Sequence, residues 1–178
     1  MRKIEVIFSQ ADKELTERLH CRYEKLADKY LALNYIFTII AGIALITSIV
    51  LLHFTVCATV KKSSHDIPVA ITSLIFAGII LLLISYIFQK MHNNYFMDVL
   101  HYQFMFEHMQ EISKYENSLT FSVSKTCPNA VIYNFPDGKY RCIKTVNNIP
   151  EDGDVIITVK ENTDAKGRIS LNWYAKIV

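Results

Sequence analysis

Residues 30–89, YLALNYIFTIIAGIALITSIVLLHFTVCATVKKSSHDIPVAITSLIFAGIILLLISYIFQ, decide the fold. No charged residue lies between Lys29 and Lys61, and none between Asp66 and Lys90. The two apolar runs are separated only by a short segment carrying Lys61, Lys62, His65 and Asp66. A helix needs roughly 20 apolar residues, at about 1.5 Å each, to cross a hydrocarbon core about 30 Å thick. Both runs meet that length and exceed most buried helices of soluble domains. Their adjacency predicts a transmembrane helical hairpin with membrane lipid as its surroundings.

Working outward, the basic residues near the runs are unequally placed. Lys13, Arg18, Arg22, Lys25 and Lys29 precede the first and Lys90 follows the second, against Lys61 and Lys62 in the connection. Basic residues collect on the cytoplasmic side, so both termini are expected there. The first run follows a charged segment, as expected of a retained anchor rather than a cleaved signal. Hydrophobic residues make up 51% of the chain and mean hydropathy is +0.19. That is too polar for a chain made mostly of spans, and leaves about two thirds of it for water. A net charge of +2 without a Lys/Arg-rich run argues against nucleic-acid binding. Cys21, Cys57, Cys127 and Cys142 lack CxxC or metal-finger spacing and read as free thiols.

Upstream of the hairpin, Ile4, Val6 and Phe8 alternate as in a half-buried strand. Ser9 offers a helix N-cap with Asp12 in the first turn. Ala11, Leu15, Leu19, Leu26 and Tyr30 then recur at near-helical spacing, predicting an amphipathic helix that runs into the first span. Within the spans, Asn34, Thr38 and Ser48 share one helical face, and Ser85, Gln89 and His92 recur at i, i+4 and i+7. These six are the candidate pore-lining residues. No Asp, Glu, Lys or Arg lies inside either span, which argues against proton relays, pumps and coupled carriers.

Beyond Gln89 neither Pro nor Gly interrupts residues 90–116, so the helix is expected to continue. Tyr95, Val99, Tyr102, Phe106 and Met109 fall at intervals of 4, 3, 4 and 3, the period of a coiled-coil seam between copies of the chain. His92, His101 and His108 decorate this helix without converging carboxylates and read as structural or pH-responsive. From Asn117 the period changes to two, predicting strands at 119–125, 130–134, 139–146, 154–160 and 169–177, with tight turns such as FPDGKY between them. Five short antiparallel strands suggest a small barrel or meander, to which the N-terminal strand adds an edge if both termini share one side.

The expected fold is therefore a membrane α+β protein. Residues 1–29 form a cytoplasmic strand and amphipathic helix, 30–116 a transmembrane hairpin with a helical stalk, and 117–178 a small antiparallel β domain. GxGxxG, P-loop, HExxH and GxSxG patterns are absent, so no enzyme, cofactor or metal site is expected. Glu151, Asp152 and Asp154 sit in a turn, where backbone roles suffice. Lys139, Arg141 and Lys144 with Tyr140 could meet an acidic ligand, but strand alternation divides them between faces.

A cytoplasmic helix entering a two-span hairpin, the helix leaving it and a small C-terminal β region together resemble the accessory membrane proteins of type VI-B CRISPR loci. The resemblance covers the whole chain in layout. It implies a homo-oligomeric, pore-like effector in the bacterial inner membrane that depolarises it during infection, functionally linked to an RNA-guided ribonuclease. It also implies a HEPN-type nuclease signature, Arg followed four to six residues later by His, which follows none of Arg2, Arg18, Arg22, Arg141 or Arg168. The order of two spans and then a β-barrel is also similar to cyclic-nucleotide-gated effectors, whose barrel needs more strands. The alternative expectation is a membrane-anchored sensor whose β domain binds a nucleotide or protein signal.

Overall fold

A computed structural model describes residues 3–58, 66–116, 118–165 and 167–178. Lys61, Lys62 and His65 of the connection, and Asn117, lie outside the described residues. The element order is β1 (Ile4–Ile7), α1 (Gln10–Ala58), α2 (Asp66–Lys114), β2 (Thr120–Val123), β3 (Ala130–Asn134), β4 (Tyr140–Lys144), β5 (Val155–Thr163) and β6 (Ile169–Ile177).

Ser9 and Asp12 start α1 reciprocally. The Asp12 amide donates to Ser9 Oγ (3.1 Å) and the Ser9 amide to Asp12 Oδ2 (2.7 Å), satisfying donors that a helix start leaves without partners. With no proline inside it, α1 runs unbroken into the apolar stretch, and α2 continues past Gln89 to Lys114. Each helix has 49 residues and is roughly 73 Å long. Each contains a window long and apolar enough to cross a membrane, of which only 11% in α1 and 17% in α2 is buried.

The strands fall within two residues of the predicted starts, but the barrel or meander does not form. Instead there are two three-stranded sheets, ordered β1-β5-β6 and β2-β3-β4. Ladder pairing stops after β4 because its continuation turns away. Thr145 Oγ1 shares its one proton between the Asn147 and Asn129 carbonyls (2.7 and 3.0 Å), the Val146 amide reaches Trp173 O (2.9 Å), and the Asn147 side chain reaches Ala175. The second correction concerns β1. It is indeed an edge strand, but it pairs with β5 in parallel, Ile4 opposite Val155 through Ile7 opposite Thr158. A parallel pair needs a long crossover, which the two helices and the strands between them supply.

The chain divides into two compact units: residues 1–20 with 101–178, and residues 21–100. The first unit gathers both chain ends, the two sheets and the end of α2. Its core alternates as strands require, with Val131 and Tyr133 of β3, Val155 and Ile157 of β5, and Leu171, Trp173 and Ala175 of β6 all buried. Met105, Met109 and Ile112 supply the helical side of the core.

Candidate functional site

In the unit of residues 21–100, the six candidate pore-lining residues do not form a polar wall. Five of them take partners across the hairpin. Asn34 Nδ2 donates to Gln89 Oε1 (2.7 Å), and Ser85 Oγ donates to Asn34 Oδ1 (2.5 Å). Thr38 Oγ1 lies 2.6 Å from Ser85 Oγ and bonds back to the Asn34 carbonyl (2.8 Å). His92 Nδ1 donates to the Ala27 carbonyl (2.9 Å). Ser48, only 2% exposed, donates to Leu45 O (2.6 Å) within α1. These six polar side chains thus find their hydrogen-bond partners inside one chain.

Packing above and below this seam follows residue size. Tyr30 stacks on Tyr95 (5.3 Å between centroids, 6° between planes), and Phe37 meets Phe88 at a tilt (5.3 Å, 37°). Where side chains shrink, fully buried Ala41 and Gly78 allow close approach, and a Cβ on Gly78 would stand 2.9 Å from Leu45 Cγ and Cδ2. Outward, Ile39, Ile43, Ile46, Ile49, Phe76 and Leu83 are all at least 59% exposed.

The seam expected between copies is likewise filled within the chain. Tyr95 stacks on Tyr30, Val99 is buried in the same unit, and Phe106 is half-buried. In the unit of residues 1–20 and 101–178, Tyr102 and Met109 are buried, and Thr16 Oγ1 lies 3.8 Å from Met109 Sδ. The 4-3 spacing identifies a buried helix face, and this chain's own residues cover it. The apolar surface left exposed on α2 beyond Gln89 is Phe96, Met97 and Phe104.

The unit of residues 1–20 and 101–178 also holds a polar network absent from the sequence-level expectations. Tyr133 OH donates to Glu111 Oε2 (2.9 Å), since a carboxylate only accepts. The phenol's single proton is then used, so His108 Nδ1, 2.7 Å away, must donate to the phenol oxygen. Arg141 Nη2 pairs with Glu111 Oε1 at 3.1 Å, and Nη1 lies 3.8 Å from Glu107 Oε2. Burial, reinforced by the Arg141 charge, holds the His108 imidazole below its ordinary pKa and neutral, against the opposing pull of Glu111 and Glu107. Burial and the bond to Glu111 push the Tyr133 phenol far up, so it stays protonated. The sequence signal for this network was Glu107, His108 and Glu111 on neighbouring helix positions and Tyr133 on the buried face of β3. His101 Nε2 donates to Leu171 O (3.0 Å) and is structural.

Beside the network lies a cleft of about 500 Å³, lined by Glu111 and Tyr115 of α2 and its exit, by the 135–139 turn, and by Tyr140 and Arg141. Gly138 sits in the turn at φ +84°, where its amide donates to the Phe135 carbonyl (3.0 Å). Of the residues that strand alternation was expected to divide, Lys139, Tyr140 and Arg141 line this one cleft and Lys144 does not. Lys139 precedes β4, and β4 is a sheet edge whose end the cleft wraps. Among the acidic turn residues, Asp154 Oδ1 accepts from the Lys3 amide (2.8 Å), a backbone role.

No family model, no curated protein and no solved structure matches the chain.

Proposed function

We propose that this protein is a membrane-anchored recognition module, in which the helical hairpin holds the α/β unit at a membrane. One observation carries the reading: the apolar windows of α1 and α2 turn their aliphatic side chains outward, while their polar side chains bond one another inside. A helix of a soluble core would bury most of that window, and so large an exposed apolar surface would aggregate in water. Parallel pairing of β1 with β5 supports a hairpin that enters and leaves on one side, agreeing with the basic residues of the flanks. With Asn34, Thr38, Ser85, Gln89 and His92 bonded within the hairpin, the working surface is the α/β unit.

Alkaline carbonate extraction of membranes tests the anchor, and labelling of exposed Cys127 and Cys142 by a membrane-impermeant maleimide tests the side. The chain should stay with the lipid, and the two thiols should label in inverted vesicles and not in intact cells. Release into the soluble fraction would sink the anchor.

Exposed Phe96, Met97 and Phe104 favour a second reading, the pore-like antiviral oligomer of the inner membrane that the layout resembles. Its lumen would draw on outward-facing Thr47 and His53 rather than on Asn34 or Ser85. The link to an RNA-guided ribonuclease rests on layout alone. A single-subunit particle in mild detergent across concentrations excludes this reading.

A further inference from the structure

We infer that the cleft between the end of α2 and the β3–β4 turn binds a small aromatic anion of the nucleoside-phosphate class. This supplies the recognition that the anchored-module reading leaves open, and it rests on that reading. At about 500 Å³ the cleft falls in the range of small-molecule sites, roughly 300–1,000 Å³. A groove of about 400 Å³ around Pro128 and Pro150 carries no aromatic side chain and offers a ring nothing to stack on.

The polar groups of the cleft decide the charge of the ligand. Both carboxylates are already served: Glu111 by the Tyr133 hydroxyl and Arg141, and Asp137 by the Lys139 amide (3.1 Å) and ammonium (3.1 Å). The cations retain donors. Arg141 uses Nη1 and Nη2 in its ion pairs and no described residue engages Nε, while Lys139 has three N–H groups and an 82% exposed side chain. The ion pair to Asp137 occupies one of the three ammonium N–H groups of Lys139 and leaves two for phosphate oxygens. Arg141 presents the planar fork suited to phosphate oxygens.

The apolar groups decide the rest. Tyr115 and Phe135 meet edge to face (5.4 Å, 87°) and form a fixed wall, while Tyr140, 70% exposed, stands where it can stack on an incoming ring. Rings and cations in one cleft suit a ligand with a planar heterocycle at one end and phosphate at the other. Inorganic phosphate would leave the rings unused, and a bare nucleoside the cations.

The test uses the full chain in lipid nanodiscs with mant-ATP and mant-GTP as fluorescent probes. Saturable binding is expected for at least one, displaced by the unlabelled nucleotide and not by equal concentrations of pyrophosphate or the nucleoside. Tyr140→Ala and Arg141→Met should each weaken binding about tenfold, the size expected for one stacked ring or one charge-assisted contact. Tyr140 is exposed, so its variant keeps the test valid if Arg141→Met disturbs folding. Absence of saturable binding, binding unchanged in Tyr140→Ala, or displacement by pyrophosphate alone would each overturn the assignment. A chain that resists carbonate extraction yet binds neither probe keeps its anchor and loses this site.

Discussion

Asn34 and Gln89, 55 positions apart in sequence, share a 2.7 Å amide hydrogen bond that joins α1 to α2. Asn34 also accepts from Ser85, so Asn34→Leu removes two bonds at once and leaves Gln89 and Ser85 without that partner. Interhelical bonds of this kind contribute about 0.6–2 kcal/mol each, and the loss of two should total about 1–4 kcal/mol. Denaturation in mixed micelles measures it. An Asn34→Leu/Ser85→Ala cycle should show coupling of about 0.5 kcal/mol or more; strictly additive losses would contradict the shared bond.

Gly78 predicts a steric result. Its missing Cβ would stand 2.9 Å from Leu45 Cγ and Cδ2. Gly78→Val should therefore separate the helices and cost about 1–3 kcal/mol, as overpacking does. Leu45→Ala in the same chain should restore part of that loss, read as a partial recovery of the unfolding midpoint. Failure of the double variant to recover would mean that the two residues do not meet.

The helices were legible because nothing but Gly78 breaks the pattern between Val69 and Lys114, and the strands because Val131/Tyr133 and Leu171/Trp173/Ala175 alternate. Periodicity reports which face of a helix is buried and not what covers it. Asn34 and Ser85 were thus visible as polar positions while their pairing was not, and Tyr102 and Met109 looked like a seam between copies. The parallel β1–β5 pair needs knowledge of the whole path. The cleft is not legible from alternation because Lys139 belongs to the turn and the cleft wraps the end of edge strand β4, so Tyr140 and Arg141 both line it.

His108 makes stability depend on pH. Its folded pKa lies below the ordinary 6.5, so the unfolded chain binds the extra proton more readily. The stability it contributes is complete above about pH 6.5 and is lost as pH falls toward the folded value. Groups facing it are Arg141, which disfavours its charging, and Glu107 and Glu111, which favour it. The wild-type melting temperature should fall as pH drops below about 6.5, and His108→Gln should flatten that fall. Superimposable pH profiles for the two proteins would show that His108 does not titrate in this way.

Asn147 supports the sheet from outside the ladder. Its Nδ2 donates to the Ala175 carbonyl (2.8 Å) and its Oδ1 accepts from the Ala175 amide (3.0 Å), so one side chain imitates a neighbouring strand. Ala175 is only 8% exposed, and water cannot readily replace either bond. Asn147→Ala should cost about 1–3 kcal/mol through two buried backbone groups left without partners. Asn147→Asp retains the acceptor and loses the donor, leaving a carboxylate facing the Ala175 carbonyl, so it should be at least as damaging at neutral pH. Amide hydrogen exchange reads the change locally. The Ala175 amide should lose protection in Asn147→Ala before Ile157 of the buried β5 does, because β5 keeps its ladder bonds on both sides.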